Sequence, residues 1–139
     1  MMSNGPKVKL GLVSNVWSKM MTFENVGDKE HGHSHCFDHM TLLAKGRISI
    51  KANDKITEFS APNMIFIKAG VEHELTAIEA DTTVFCIHAI RDGDRIEDIV
   101  DPDMIPAGTD AMNYLTHFKP LVTDGIHPVP EGFLDARAA

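Results

Sequence analysis

In several stretches of the first two thirds of the chain, apolar and polar residues alternate with a period of two, the period at which the side chains of an extended strand alternate between two faces. Lys7–Val13 alternates through Val8, Leu10 and Leu12 and predicts a first strand. Residues 15–24, anchored by Trp17, Met20, Met21 and Phe23, read as a second strand, with a helical turn as the alternative. Val26-Gly27-Asp28-Lys29 is a turn by its Gly-Asp pair. Met40-Thr41-Leu42-Leu43-Ala44 is a compact apolar run ended by Lys45-Gly46. Arg47-Ile48-Ser49-Ile50-Lys51 alternates cleanly, Asn53-Asp54 closes a tight hairpin, and residues 55–59 return along it. After a turn at Pro62-Asn63, Met64-Ile65-Phe66-Ile67 is apolar at every position, which predicts a strand buried between two sheets. Gly70 breaks that run, and His73–Ala77 and residues 82–90 form two further strands around Glu79-Ala80-Asp81. Short strands spaced by turn signals, with no repeat of solenoid period, predict an all-β sandwich or barrel.

From Arg91 the pattern is lost. Asp92, Gly93, Asp94, Asp98, Asp101, Pro102, Asp103, Pro106, Gly108 and Asp110 mark a loop-rich tail in which only residues 111–119 suit a short helix. Its apolar residues, among them Met104, Ile105, Met112, Tyr114, Leu115 and Phe118, are too many for a free solvated tail. The expected organisation is a barrel over residues 1–91 and an extension over 92–139 that packs on the barrel or on a partner subunit.

At 139 residues the chain is the size of one domain and can bury a core without staples. Its net charge of −7, with no block of Lys and Arg, argues against a nucleic-acid partner. Two cysteines, Cys36 and Cys86, suit a reduced protein and not a disulfide scaffold. No apolar run approaches the roughly 18 residues of a membrane span, and Met1-Met2-Ser3-Asn4-Gly5-Pro6 lacks the regions of a signal peptide. A cytoplasmic protein with no membrane partner is the expectation.

Chemistry concentrates in Glu30-His31-Gly32-His33-Ser34-His35-Cys36-Phe37-Asp38-His39, which holds four of the eight histidines. His33 and His35, two apart, point to one face of a strand, and His39 keeps the same parity. Neutral imidazole is the commonest protein ligand for transition metals, so the pair makes a natural pincer. A solvated His-rich loop is the alternative. His31 shares the parity of His33, as a further ligand or, the favoured reading, exposed at the rim. His88 shares a face with Val84, Cys86 and Ile90, either as an acid/base group near the site or as a core histidine bonded to a carbonyl. Phe37, Met64 and Phe66 are candidates for lining a substrate cavity, against the commoner role of packing. Cys36 reads as a small buried hydrophobe, Glu72 points away from the face of His73, and His117 and His127 receive no role.

Two motifs in this region resemble those of the cupin superfamily. The first family motif is a pair of histidines one residue apart, a glutamate a few residues on, and a glycine after six more. Here it reads His33-Ser34-His35, three residues, His39, six residues, Gly46. The second, proline, any residue, glycine, two residues, histidine, reads Lys68-Ala69-Gly70-Val71-Glu72-His73. The resemblance spans residues 17–90 and implies a single-domain double-stranded β-helix, the jelly-roll barrel. It implies His33, His35 and His73 as ligands of one divalent transition metal, with His39 as the fourth in place of the family's glutamate. Lys68 stands where the family has proline.

Exchanging the carboxylate for an imidazole raises the formal charge of the centre by one, which favours an anionic or enolisable ligand and a stronger Lewis acid. Nitrogen ligation suits Fe(II), Ni, Zn, Cu or Mn and disfavours Mg or Ca. Fe(II) is the favoured metal, because all-histidine sites in this superfamily resemble those of small-molecule dioxygenases. The expected function is thus a dioxygenase-like metalloenzyme acting on a small molecule. The alternatives are a redox-neutral lyase or isomerase and a non-enzymatic metal-dependent binding protein. Family habit and the tail together imply a homodimer.

Overall fold

The computed structural model describes residues 5–13, 16–33, 38–89 and 92, with residues 10–13, 32, 33 and 39 described by their backbone alone. The described residues form β1 (Lys7–Val13), β2 (Val16–Phe23), β3 (Lys29–His33), β4 (His39–Lys45), β5 (Arg47–Ala52), β6 (Lys55–Ser60), β7 (Asn63–Ile67), β8 (His73–Ala77) and β9 (Thr82–Ala89). They contain no helix, so none long and apolar enough to cross a membrane. The extension 93–139 and its expected short helix lie outside the described residues.

The strands make two antiparallel sheets, β1-β2-β9-β4-β7 and β3-β8-β5-β6. Only β1–β2 and β5–β6 pair with their immediate successors; every other pairing joins strands distant in sequence. The β5–β6 hairpin turns on Asn53 and Asp54, both in the left-handed region (φ 51° and 63°), the conformation of the two-residue turn whose twist matches the strands it joins. Gly46 (φ +85°) starts the passage from β4 to β5, and a Cβ there would lie 2.9 Å from the Thr82 Cα. The hydroxyl of Thr82, wholly buried, accepts from the Arg47 N–H at 3.2 Å and donates to the Glu79 carbonyl at 2.8 Å, tying that passage to the start of β9.

The register stacks the inward residues of each sheet in rows. On the five-stranded sheet Phe23 lies beside Thr82; Met21, Val84 and Leu43 form the next row; Lys19, Cys86, Thr41 and Ile65 the next; and Trp17 with His88 the last. On the four-stranded sheet the rows are Ala77, Ile48 and Phe59; then Glu30, Leu75, Ile50 and Thr57; then His73, Ala52 and Lys55. Met21, Phe23, Leu43, Ile48, Ala77 and Val84 are wholly buried. Each large side chain among them contributes roughly 1.5–3 kcal/mol of burial, so this end of the barrel carries much of the stability.

The strand expected over residues 15–24 is β2, whose inward residues are Trp17, Lys19, Met21 and Phe23, with Met20 on the other face. One expectation is corrected. β7 is not buried on both faces: Ile65 and Ile67 are inward, but Met64 and Phe66 are 71% and 70% exposed. The reason is topological. β7 is an edge strand of its sheet, and among the described residues no second layer covers its outer side.

Candidate metal centre

The last row on each inner face holds a buried histidine, His73 on the four-stranded sheet and His88 on the five-stranded one. In β3 the register shifts between Glu30 and His33, so that Glu30 pairs with Leu75 while His33 pairs with His73. A bulge of this kind puts one extra residue into a strand and changes its parity. His31 is accordingly exposed, as expected for the rim. On the other sheet His39 pairs with Ile67, and Trp17 with His88. Stepping two residues from the Thr41–Cys86 pair along each strand reaches His39 on β4 and His88 on β9. The backbone therefore brings positions 33, 39, 73 and 88 to one end of the barrel. His35, Phe37 and Cys36 lie outside the described residues, as do the side chains of His33 and His39. Among the described residues no group of three metal-binding side chains stands close together.

His73 is 2% exposed, and its Nδ1 lies 2.9 Å from the carbonyl oxygen of Val71. Donation of the Nδ1 proton to that carbonyl fixes the neutral tautomer in which Nε2 carries the lone pair. This is the arrangement that orients a ligating histidine, since the nitrogen away from the metal usually holds a carbonyl or carboxylate. The buried, tautomer-fixed imidazole fits a divalent metal, and the all-nitrogen donor set of the sequence motif fits a first-row transition ion. His88 is also buried, at 6% exposed, and the Nε1 of its cross-strand neighbour Trp17 is buried with no hydrogen-bond partner among the described residues.

One row deeper lies a charge pair that reading the sequence alone missed. Lys19 Nζ donates to Glu30 Oε2 at 2.9 Å, with the two side chains 6% and 10% exposed, and so bridges the two sheets inside the barrel. Its only sequence signal is a lysine at an inward parity among Trp17, Met21 and Phe23. Cys86 sits in the same row, 3.8 Å from the Thr41 hydroxyl. Burial, reinforced by the Glu30 carboxylate and opposed by Lys19 and Thr41, pushes its thiol up to about 12, so it is a protonated packing group and not a nucleophile.

The described side chains line an open cavity of about 280 Å³ between β5–β6 and β7, reaching from Ile50, Phe59 and Ile65 to His73. Phe66 contributes to its wall; Met64 does not. A second, polar cavity of about 310 Å³ lies on the other side of His73, among Lys51, Asp54, Glu72 and Glu74. Glu72 is exposed, as its expected direction away from the histidine face requires.

The fold matches the cupin double-stranded β-helix, and many structural neighbours of the chain are cupin-superfamily proteins. One, a cupin superfamily protein from Desulfitobacterium hafniense, is 15% identical over 61% of this chain and 76% of its own, with a TM-score of 0.53. An RmlC-like cupin family protein from Methanocaldococcus jannaschii is 16% identical over 60% and 79%, and KdgF from Halomonas sp. 16% over 60% and 77%, both with TM-scores of 0.54. At such identities the likeness establishes the fold. No protein-family model and no curated protein matches the sequence.

Proposed function

We propose that the chain is a mononuclear metal-dependent protein that acts on a small anionic or enolisable molecule, with a dioxygenase-like activity. His33, His35, His39 and His73 would hold the metal, Fe(II) in preference to Ni, Zn, Cu or Mn. The observation that carries this reading is His73, buried, with its Nδ1 proton committed to the Val71 carbonyl and its backbone paired with that of His33. The bound metal would supply Lewis acidity and, as Fe(II), one-electron chemistry toward O₂. The protein's own part is to hold the small molecule in the cavity beside His73, with Phe66 in its wall, and to exclude water by the apolar walls of Ile50, Ile65 and Ile67. His88, at the same end of the barrel, is suited to hold or pass a proton to the substrate. A homodimer in the cytoplasm completes the proposal, and size-exclusion behaviour as a monomer would remove the dimer.

Elemental analysis of the protein as isolated tests the first step, with about one metal per chain expected and near-complete loss in His73→Ala. Oxygen uptake with a panel of small carboxylates and β-dicarbonyls tests the second. Metal without uptake would turn the reading toward a redox-neutral lyase or isomerase, or a binding protein. No metal in the wild type under reducing, chelator-free purification would end it.

A further inference from the structure

We infer that the ligand of this site is an amphipathic monoanion: a carboxylate head at the mouth of the barrel and a small apolar body, the size of that of hexanoate or phenylacetate, inside. The inference deepens the functional reading above and rests on it for the site's purpose. Its physical basis, however, lies in side chains other than the four proposed ligands.

The cavity of about 280 Å³ has two unlike ends. At the inner end Ile50, Phe59 and Ile65 form an apolar pocket. At the outer end stand Lys55 and Lys68 beside His73. Lys55 comes to the cavity because it shares the inward parity of Thr57 and Phe59 on β6, across from Ala52, whose other cross-strand neighbour is His73. Lys68 follows directly on the inward Ile67. Neither lysine has an ion-pair partner among the described residues, although the chain carries a net charge of −7. Among the described residues the cavity wall contains no acidic side chain. Asp38, which lies close to this rim, has its Oδ1 occupied by the Ala69 N–H at 2.7 Å. The acidic side chains near His73, Asp54, Glu72 and Glu74, border the separate polar cavity instead.

Two cations over an apolar pocket, in an acidic protein, select an anion with a hydrophobic body. The size follows from the volume. With about 280 Å³ in a cavity that opens to the surface, the apolar end suits a small body such as that of hexanoate or phenylacetate. A small diacid would leave the apolar inner end empty.

Calorimetric titration with hexanoate, hexan-1-ol, malonate and dodecanoate tests the inference, run on chelator-treated protein and again after loading with Ni(II). The expected order is hexanoate tightest in both forms, with hexan-1-ol and malonate weaker by about tenfold or more. Lys55→Met with Lys68→Met, both at exposed positions, should weaken hexanoate by about tenfold and leave hexan-1-ol unchanged. Phe59→Ala should shift the preference to octanoate. Equal binding of the acid and the alcohol, an unchanged affinity in the double lysine variant, or malonate binding best would each overturn the inference. Because the chelator-treated protein is tested separately, failure of metal binding leaves these outcomes readable. Conversely, a protein that binds metal but no hexanoate defeats this inference alone.

Discussion

The two ends of the barrel interior are built from different chemistry. At one, Met21, Phe23, Leu43, Ile48, Ala77 and Val84 are wholly buried and the Thr82 hydroxyl ties β9 to the Gly46 turn. At the other, His73 and His88 are buried, and His73 lines a cavity rimmed by lysines. Between them runs the row of Lys19, Glu30, Thr41 and Cys86. The difference teaches that folding and chemistry draw on separate rows of the same strands. Changes in the apolar rows should cost stability, and changes at the histidine row should cost binding.

The sharpest way to break this separation is to compare Phe23→Ala with His73→Ala in denaturant titrations. Phe23→Ala should lose about 3–5 kcal/mol, whereas His73→Ala should lose no more than about 1–2 kcal/mol while losing the metal. Similar losses in the two would show that the histidine row is structural.

The middle row gives the next effect. Glu30→Leu leaves a buried ammonium without its carboxylate and should cost about 3–5 kcal/mol. Adding Lys19→Met should restore most of it, because the pair removed together exposes no stranded charge. A double variant as unstable as the single one would mean that the pair contributes more than its mutual neutralisation.

A smaller effect is the pH response of Cys86. Its folded value of about 12 lies above the ordinary thiol value of 9.0, so below pH 9 both states keep the proton and the group is neutral toward stability. As pH rises from about 9 toward 12 the unfolded chain ionises first, and stability falls. Cys86→Ser should flatten that alkaline loss. At pH 8 the native thiolate fraction is about one in ten thousand, so Cys86 should resist iodoacetamide until the protein unfolds. Smallest of all is Arg47→Ala: the Arg47–Glu58 pair, 3.4 Å long with side chains 48% and 59% exposed, should change stability by less than about 0.5 kcal/mol.

The strand pattern was legible because a half-buried strand repeats every two residues: Arg47–Ala52 shows the alternation and Asn53-Asp54 names its own turn. The motif residues were legible for a similar reason, since their spacing is local. The outer face of β7 was not, because Met64 and Phe66 look like core until the sheet order leaves them at an edge. The bulge that separates His31 from His33 was not either, since it depends on how β3 registers against β8.

By itself, then, the sequence determined an all-β chain, its turns, and the histidines on which a metal centre would be built, because each of these is written in neighbours a few residues apart. Only the tertiary structure decided that Lys19 meets Glu30 across two sheets, that Cys86 is sealed between them, and that Lys55 and Lys68 stand over one apolar cavity beside His73. Those relations join strands that are distant along the chain, and nothing in local periodicity encodes which strand becomes the neighbour of which.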